Sequence, residues 1–246
     1  MSALPTRAQA SVLTARYASC WLGDLPTALL LFAQAPLIGW LCTVVWGSVK
    51  GDTPSLYFVM SLSALWFGCI NACREIVKER AILERERHFG LSMSAYVASK
   101  IAVLSALCLA QVLGMQLVVE GSLAPRGPMP IQTLALLGSA ICGVGLGLLV
   151  SALSSAQERA VGVVPLLIIP QILFSEVAIP RSAFSDTVAW VEKIMPVHWA
   201  FQVFKEAAEA EPDWLAVLGD LMVLPLYAAI LAGLTALALA ARRAEV

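Results

Sequence analysis

Apolar residues fill this chain in six long runs, with charged residues gathered in the intervals between them. The runs cover about 25–46, 55–72, 95–119, 131–153, 161–179 and 214–241. Each is near the roughly 20 residues that a helix needs to cross a bilayer. Only helices satisfy their own backbone groups in lipid at such lengths, so the pattern predicts an all-α polytopic membrane protein with six spans. An even number of crossings puts both termini on one face.

The intervals differ in kind. Residues 71–100 read NACREIVKERAILERERHFGLSMSAYVASK and hold Arg74, Glu75, Lys78, Glu79, Arg80, Glu84, Arg85, Glu86 and Arg87. Charges three and four positions apart predict a helix over about 74–88 with polar faces and little reason to enter lipid. Such a surface suits the docking of another protein. Before the first span, residues 1–23 predict an interfacial helix, with Val12, Leu13, Tyr17 and Trp21 at helical spacing and Arg7 and Arg16 elsewhere on the wheel. They lack the basic start and unbroken apolar core of a cleavable leader. Between the last two runs, residues 180–210 mix Trp190, Ile194 and Trp199 with charges and are broken by Pro180 and Pro196. That mixture predicts short helices lying at, or dipping into, the far interface.

Charge sets the orientation. With both ends inside, the inner face gathers Arg7, Arg16, the 74–87 cluster, Lys100, Arg159, Arg242 and Arg243. The outer face would mix Lys50, Arg126, Arg181, Lys193 and Lys205 with many acids, from Asp52 and Glu120 to Asp213. The basic excess obeys the positive-inside rule for a plasma or bacterial inner membrane. A composition that is 59% hydrophobic, with a mean hydropathy of +0.82, agrees with this class. A net charge of −1 argues against a nucleic-acid partner. The six cysteines fall in or beside apolar segments, where Cys packs as a small residue rather than as half of a disulfide framework.

Catalytic chemistry finds no support. His88 and His198 would lie on opposite sides of the membrane, and neither HExxH nor GxSxG occurs. No GxxxxGK[ST] phosphate loop occurs in the 246 residues, so ATP and Mg would be bound by a partner and no cofactor by this segment. Buried acids that would mark an ion path are confined to span margins: Asp24, Glu176 and Asp220. Within the fourth run, Gly143 and Gly147 make a GxxxG that permits close helix approach. Pro165 and Pro170 predict a kinked fifth span, read either as a packing irregularity or as a flexible wall beside a substrate path.

Several of these segments resemble a known family. LLLFAQAPLIGW (29–40), WFGCINACREIVKERAILERERHFGLSMSAYVASK (66–100), PLLIIPQILFSEVAIP (165–180) and MPVHWAFQVF (195–204) are similar to the membrane domain of type-2 ATP-binding-cassette exporters, particularly the G-subfamily. Residues 71–100 carry the most specific match. The resemblance implies one transmembrane domain over 1–246, an amphipathic connecting helix and six spans. It also implies a dimer with a second copy or a homologous permease, and an ATPase domain docked beneath each. Arg74, Glu75, Lys78, Glu79, Arg80, Glu84 and Arg87 then belong to a coupling helix that receives the ATPase's motion. It further implies a central cavity lined by spans two and five. Here those spans offer Phe58, Leu62, Leu65, Trp66 and Asn71 on one side and Leu166, Ile169, Pro170, Leu173 and Phe174 on the other. That lining suits a hydrophobic or amphipathic cargo such as a lipid, a lipid-linked glycan or a drug-like molecule. Glu176 stands where the family pattern has glycine and points to a more polar cargo at the exit. A membrane scaffold that recruits a partner through residues 74–88, or an ion-driven carrier, remains as an alternative, although the latter would show internal repeats.

Overall fold

A computed structural model describes residues 5–49 and 53–241, all helix, turn or loop with no strand among them. Lys50, Asp52, Arg242 and Arg243, used above for orientation, lie outside the described residues. Helix α1 (Thr6–Gly23) precedes α2 (Leu25–Trp46) and α3 (Pro54–Ala72). A 3-10 turn and α4 (Arg80–His88) lead to α5 (Met93–Leu123), α6 (Met129–Leu153) and α7 (Gln157–Leu173). Two short helices, α8 (Asp186–Ile194) and α9 (Pro196–Ala207), precede α10 (Trp214–Ala241). The sequence pattern places most of these boundaries within a few residues.

Among the described residues, five helical stretches are long and apolar enough to cross a membrane: α2, α3 with the turns that continue it, α5, α6 and α10. The expected fifth span is different. Residues 161–179 do not form one helix, because α7 begins earlier and ends at Leu173 after 17 residues. At 1.5 Å per residue it reaches roughly 26 Å, short of the roughly 30 Å hydrocarbon core. Its end has a local cause. Ser175 Oγ donates to the Ile172 carbonyl and accepts from the Ala178 amide, which folds the next residues into turns. The expected single helix over 74–88 is also divided. Residues 74–76 turn, Val77–Glu79 form a 3-10 turn, and only Arg80–His88 is α-helical.

Helix α6 is the centre of the bundle because its glycines free two faces. Gly143 and Gly147 meet α3: a Cβ added at Gly143 would stand 2.2 Å from the Leu65 carbonyl oxygen, and one at Gly147 2.7 Å from that of Cys69. Gly68 of α3 completes the contact from the other side, with only 1.9 Å available to the Ala140 oxygen. Gly138 and Gly145 turn to α10, where Leu224 and Leu231 fill the space that side chains would occupy. Apolar association has little driving force in lipid, so close backbone contact of this kind is what holds helices together. Polar groups reinforce it. Ser139 Oγ donates to the Ser61 carbonyl at 2.9 Å, and Cys142 Sγ donates to the Leu224 carbonyl at 3.3 Å. Cys69, Cys73, Cys108 and Cys142 are buried packing residues, while Cys20 is exposed.

Candidate functional site

At the end of the bundle where α3 runs out, the charges that follow it are tied down rather than solvated. Glu75 is 5% exposed and Lys100 is 2% exposed. Lys100 reaches this point from two turns inside α5, placing Nζ 2.7 Å from Glu79 Oε2 and 3.6 Å from Glu75 Oε2. The same ammonium lies 3.6 Å above the Tyr17 ring of α1. Tyr17 donates its hydroxyl to Glu75, and Lys78 pairs with Glu75 as well. Tyr96 of α5 donates to Glu79 at 3.3 Å. Burial first, and then the Glu75 carboxylate, push the Tyr17 phenol far above its ordinary range, so it remains a donor. Two carboxylates and two ammonium groups thus neutralise each other at the junction of α1, the turn after α3 and α5. A buried pair of this kind is costly to break because the survivor keeps its charge out of water.

Neighbouring contacts extend the lock to every side. Arg16 of α1 makes a two-point ion pair with Glu86 of α4. Ser151 Oγ of α6 accepts from the Ile76 and Val77 amides at 2.9 and 3.0 Å. Arg80 donates to the carbonyls of Ala152 in the last turn of α6 and of Ser154 just beyond it, and Arg87 to that of Ala240 in α10. Deeper in the bundle, Asn71 Nδ2 donates to Gln111 Oε1 at 2.6 Å, and Gln111 Nε2 donates to the Leu31 carbonyl. One polar chain therefore links α2, α3 and α5.

The residues expected for coupling fall into two sets. Glu75, Lys78, Glu79, Arg80 and Arg87 engage the membrane helices. Glu84 is exposed on α4, beside exposed Arg85 and His88, and Arg74 is exposed on the turn before it. Ile82 and Phe89 add apolar surface there, Phe89 being 85% exposed. Sequence reasoning missed Tyr17, Tyr96, Lys100, Gln111 and Ser151 as participants. Lys100 carried a usable signal, a lone ammonium among apolar neighbours in VASKIAV, where an intramembrane charge calls for a partner.

The expected cargo-path residues divide too. Phe58, Leu65 and Asn71 are buried within this chain, Phe58 edge-on to Phe201 of α9. Leu62 and Trp66 are half-buried, whereas Leu166, Ile169 and Leu173 expose one face of α7. Phe174 is half-buried at its end. Glu176 is held between Arg181 and Lys205 Nζ, the latter at 2.6 Å. Arg181 also approaches Glu192, which contacts His198 Nδ1 at 3.2 Å. This second cluster binds the end of α7 to α8 and α9.

Residues 8–207 match the family described as ABC-2 type transporter. The chain belongs to the ABC-2 type transporter family. It is accordingly a multi-pass membrane protein and the membrane component of an ABC transporter. Over 165 residues, 61% of the chain, it is 26% identical to the "ABC transporter ATP-binding/permease protein Rv1747" of Mycobacterium tuberculosis (strain ATCC 25618 / H37Rv). The match spans 19% of that relative's length.

Proposed function

We propose that this ABC-2 membrane domain is the permease of an ATP-driven exporter of the type-2, G-subfamily kind, moving a hydrophobic or amphipathic molecule out of the cytoplasm or the inner leaflet. Two such domains, identical or closely related, enclose the path, and an ATP-binding component docks beneath each and supplies ATP and Mg. Both termini face the cytoplasm of a plasma or bacterial inner membrane. Helix α7 serves as the fifth of six crossings, with its short span completed by the turns to Ile179. Helices α8 and α9 lie at the outer interface. One observation supports the reading most: an exposed charged and aromatic surface on α4, fastened to the membrane helices by a buried ion-pair lock. A surface mounted in this way passes a push on α4 into α1, α5, α6 and α10 rather than dissipating it in a loop.

The exposed side of α4 is therefore the ATPase contact. A Glu84→Lys, Arg85→Glu, Phe89→Asp triple variant is expected to reduce substrate-stimulated ATP hydrolysis about tenfold or more, since a desolvated aromatic dominates such interfaces. Membrane insertion and thermal stability should be unchanged, because none of the three side chains joins the lock. Parental ATPase stimulation in the triple variant would remove α4 as the transmission surface.

The path itself is assigned to the exposed face of α7, Leu166, Ile169 and Leu173, with Leu62 and Trp66 of α3 and Phe174 beside it. Phe58 and Asn71 support that wall from behind. Glu176 stands at the outer end, where its ion pairs to Arg181 and Lys205 close the exit. Trp66→Ala and Phe174→Ala are expected to lower transport several-fold, and Glu176→Gly to change selectivity between charged and uncharged amphiphiles. Transport by all three at the parental rate and selectivity, at matched abundance, would show that the path lies elsewhere.

A further inference from the structure

Beside the lock, a cavity of about 310 Å³ opens between α1, the start of α2 and the turn after α3. Its size sits at the low end of small-molecule sites, about 300–1,000 Å³, and suits a headgroup rather than a whole lipid. Trp21, Asp24, Leu31, Asn71, Arg74 and Lys78 are among the residues that line it. Lys78 is committed to Glu75. Asp24 and Arg74 are different: both are exposed, and neither has an ion pair among the described residues. The carboxylate of Asp24 caps α2 by accepting from the Thr27 amide and retains room for a further donor. The guanidinium of Arg74 stands on the other side of the sequence gap, on the turn after α3, and offers a planar fork for phosphate. Asn71 is 3% exposed, and its Oδ1 is buried without a hydrogen-bond partner while Nδ2 is taken by Gln111. An unmet buried acceptor is costly and calls for a donor.

We propose that this cavity binds the headgroup of a phosphoethanolamine-type lipid from the inner leaflet. The phosphate pairs with Arg74, and the primary ammonium, which has three N–H donors, pairs with and donates to Asp24. A quaternary choline ammonium has no N–H to give, and a glycerol headgroup leaves Asp24 without a counter-charge. Acyl chains then run from the cavity mouth along the outer side of α2, where Leu25 and Leu29 are 59% and 64% exposed. The site rests on the proposed orientation in lying at the inner leaflet, but its binding step involves no nucleotide.

The test uses the purified full chain with its ATP-binding component in detergent, without ATP. Retention of dihexanoyl phosphoethanolamine, phosphocholine and phosphoglycerol lipids is measured by native mass spectrometry. Ethanolamine retention should exceed choline and glycerol retention about tenfold, a preference worth about 1.4 kcal/mol. Asp24→Asn keeps a helix cap of equal quality, and Arg74→Gln breaks no side-chain ion pair or hydrogen bond among the described residues, so both variants fold. Each is expected to abolish the preference. Equal retention of the three lipids, or an undiminished preference in both variants, overturns the proposal. Because α4 variants are scored by ATPase stimulation, failure of the exporter reading and failure of this site are read separately.

Discussion

Gly143→Ala and Gly68→Ala are each expected to eliminate most of the folded protein. The two glycines face each other across α3 and α6, and the methyl they would gain has no free direction. At Gly143 it would sit 2.2 Å from the Leu65 oxygen and 3.0 Å from the Cys69 nitrogen. At Gly68 it would sit 1.9 Å from the Ala140 oxygen and 2.6 Å from the Val144 nitrogen. These are backbone atoms, which cannot rotate aside as a side chain does. The helices must separate, and the Ser139 bond to Ser61 goes with them. Overpacking a core with movable side chains typically costs about 1–3 kcal/mol; a clash with rigid backbone on both helices should exceed that. Gly233→Ala is the matched control, with nothing within 4 Å of the new methyl. It should be neutral, or slightly stabilising by up to about 1 kcal/mol through helix propensity. Yield of monodisperse protein and its melting temperature check the pair. A Gly143→Ala variant that melts with the Gly233→Ala control would disprove this account of the α3–α6 contact.

Lys100→Met should come next in severity. The change keeps the length of the side chain and the apolar stem but leaves Glu75 with Lys78 alone, whose side chain is 39% exposed, and takes from Glu79 the ammonium that pairs with it. Removing one partner of a buried ion pair costs about 3–5 kcal/mol. The Tyr17 ring loses its cation at the same time, so α1 should loosen from α5. Adding Glu79→Gln to Lys100→Met restores the charge balance and should recover part of the lost stability, because two neutral groups demand less than one stranded carboxylate. The melting temperature of the single and double variants, and protease cleavage within α1, measure this directly. An unchanged melting temperature in Lys100→Met would mean that the lock does not hold the inner end. Where the double variant is stable, its transport per ATP hydrolysed tests the proposed second role of the network, the transmission of force from α4.

Long apolar runs determined the class and most helix positions, because lipid allows a spanning backbone only one economical form. The start of the 71–100 segment was legible as a charged stretch outside the spans for a similar reason: so many charges have no place in lipid. Its inner division was not. Glu75 and Glu84 look equivalent in sequence, and only the approach of Lys100 and Tyr17, 25 and 58 positions away, makes one buried and the other free. The GxxxG of α6 was readable as permission for close contact, but the partner was decided by tertiary structure, which set Gly143 and Gly147 on α3 and turned Gly138 and Gly145 to α10. The end of α7 at Leu173 likewise depended on Ser175 finding two backbone partners rather than on hydropathy. Sequence by itself determined which segments avoid water. The tertiary structure decided which charges meet, because pairing depends on distances between helices that no local pattern encodes.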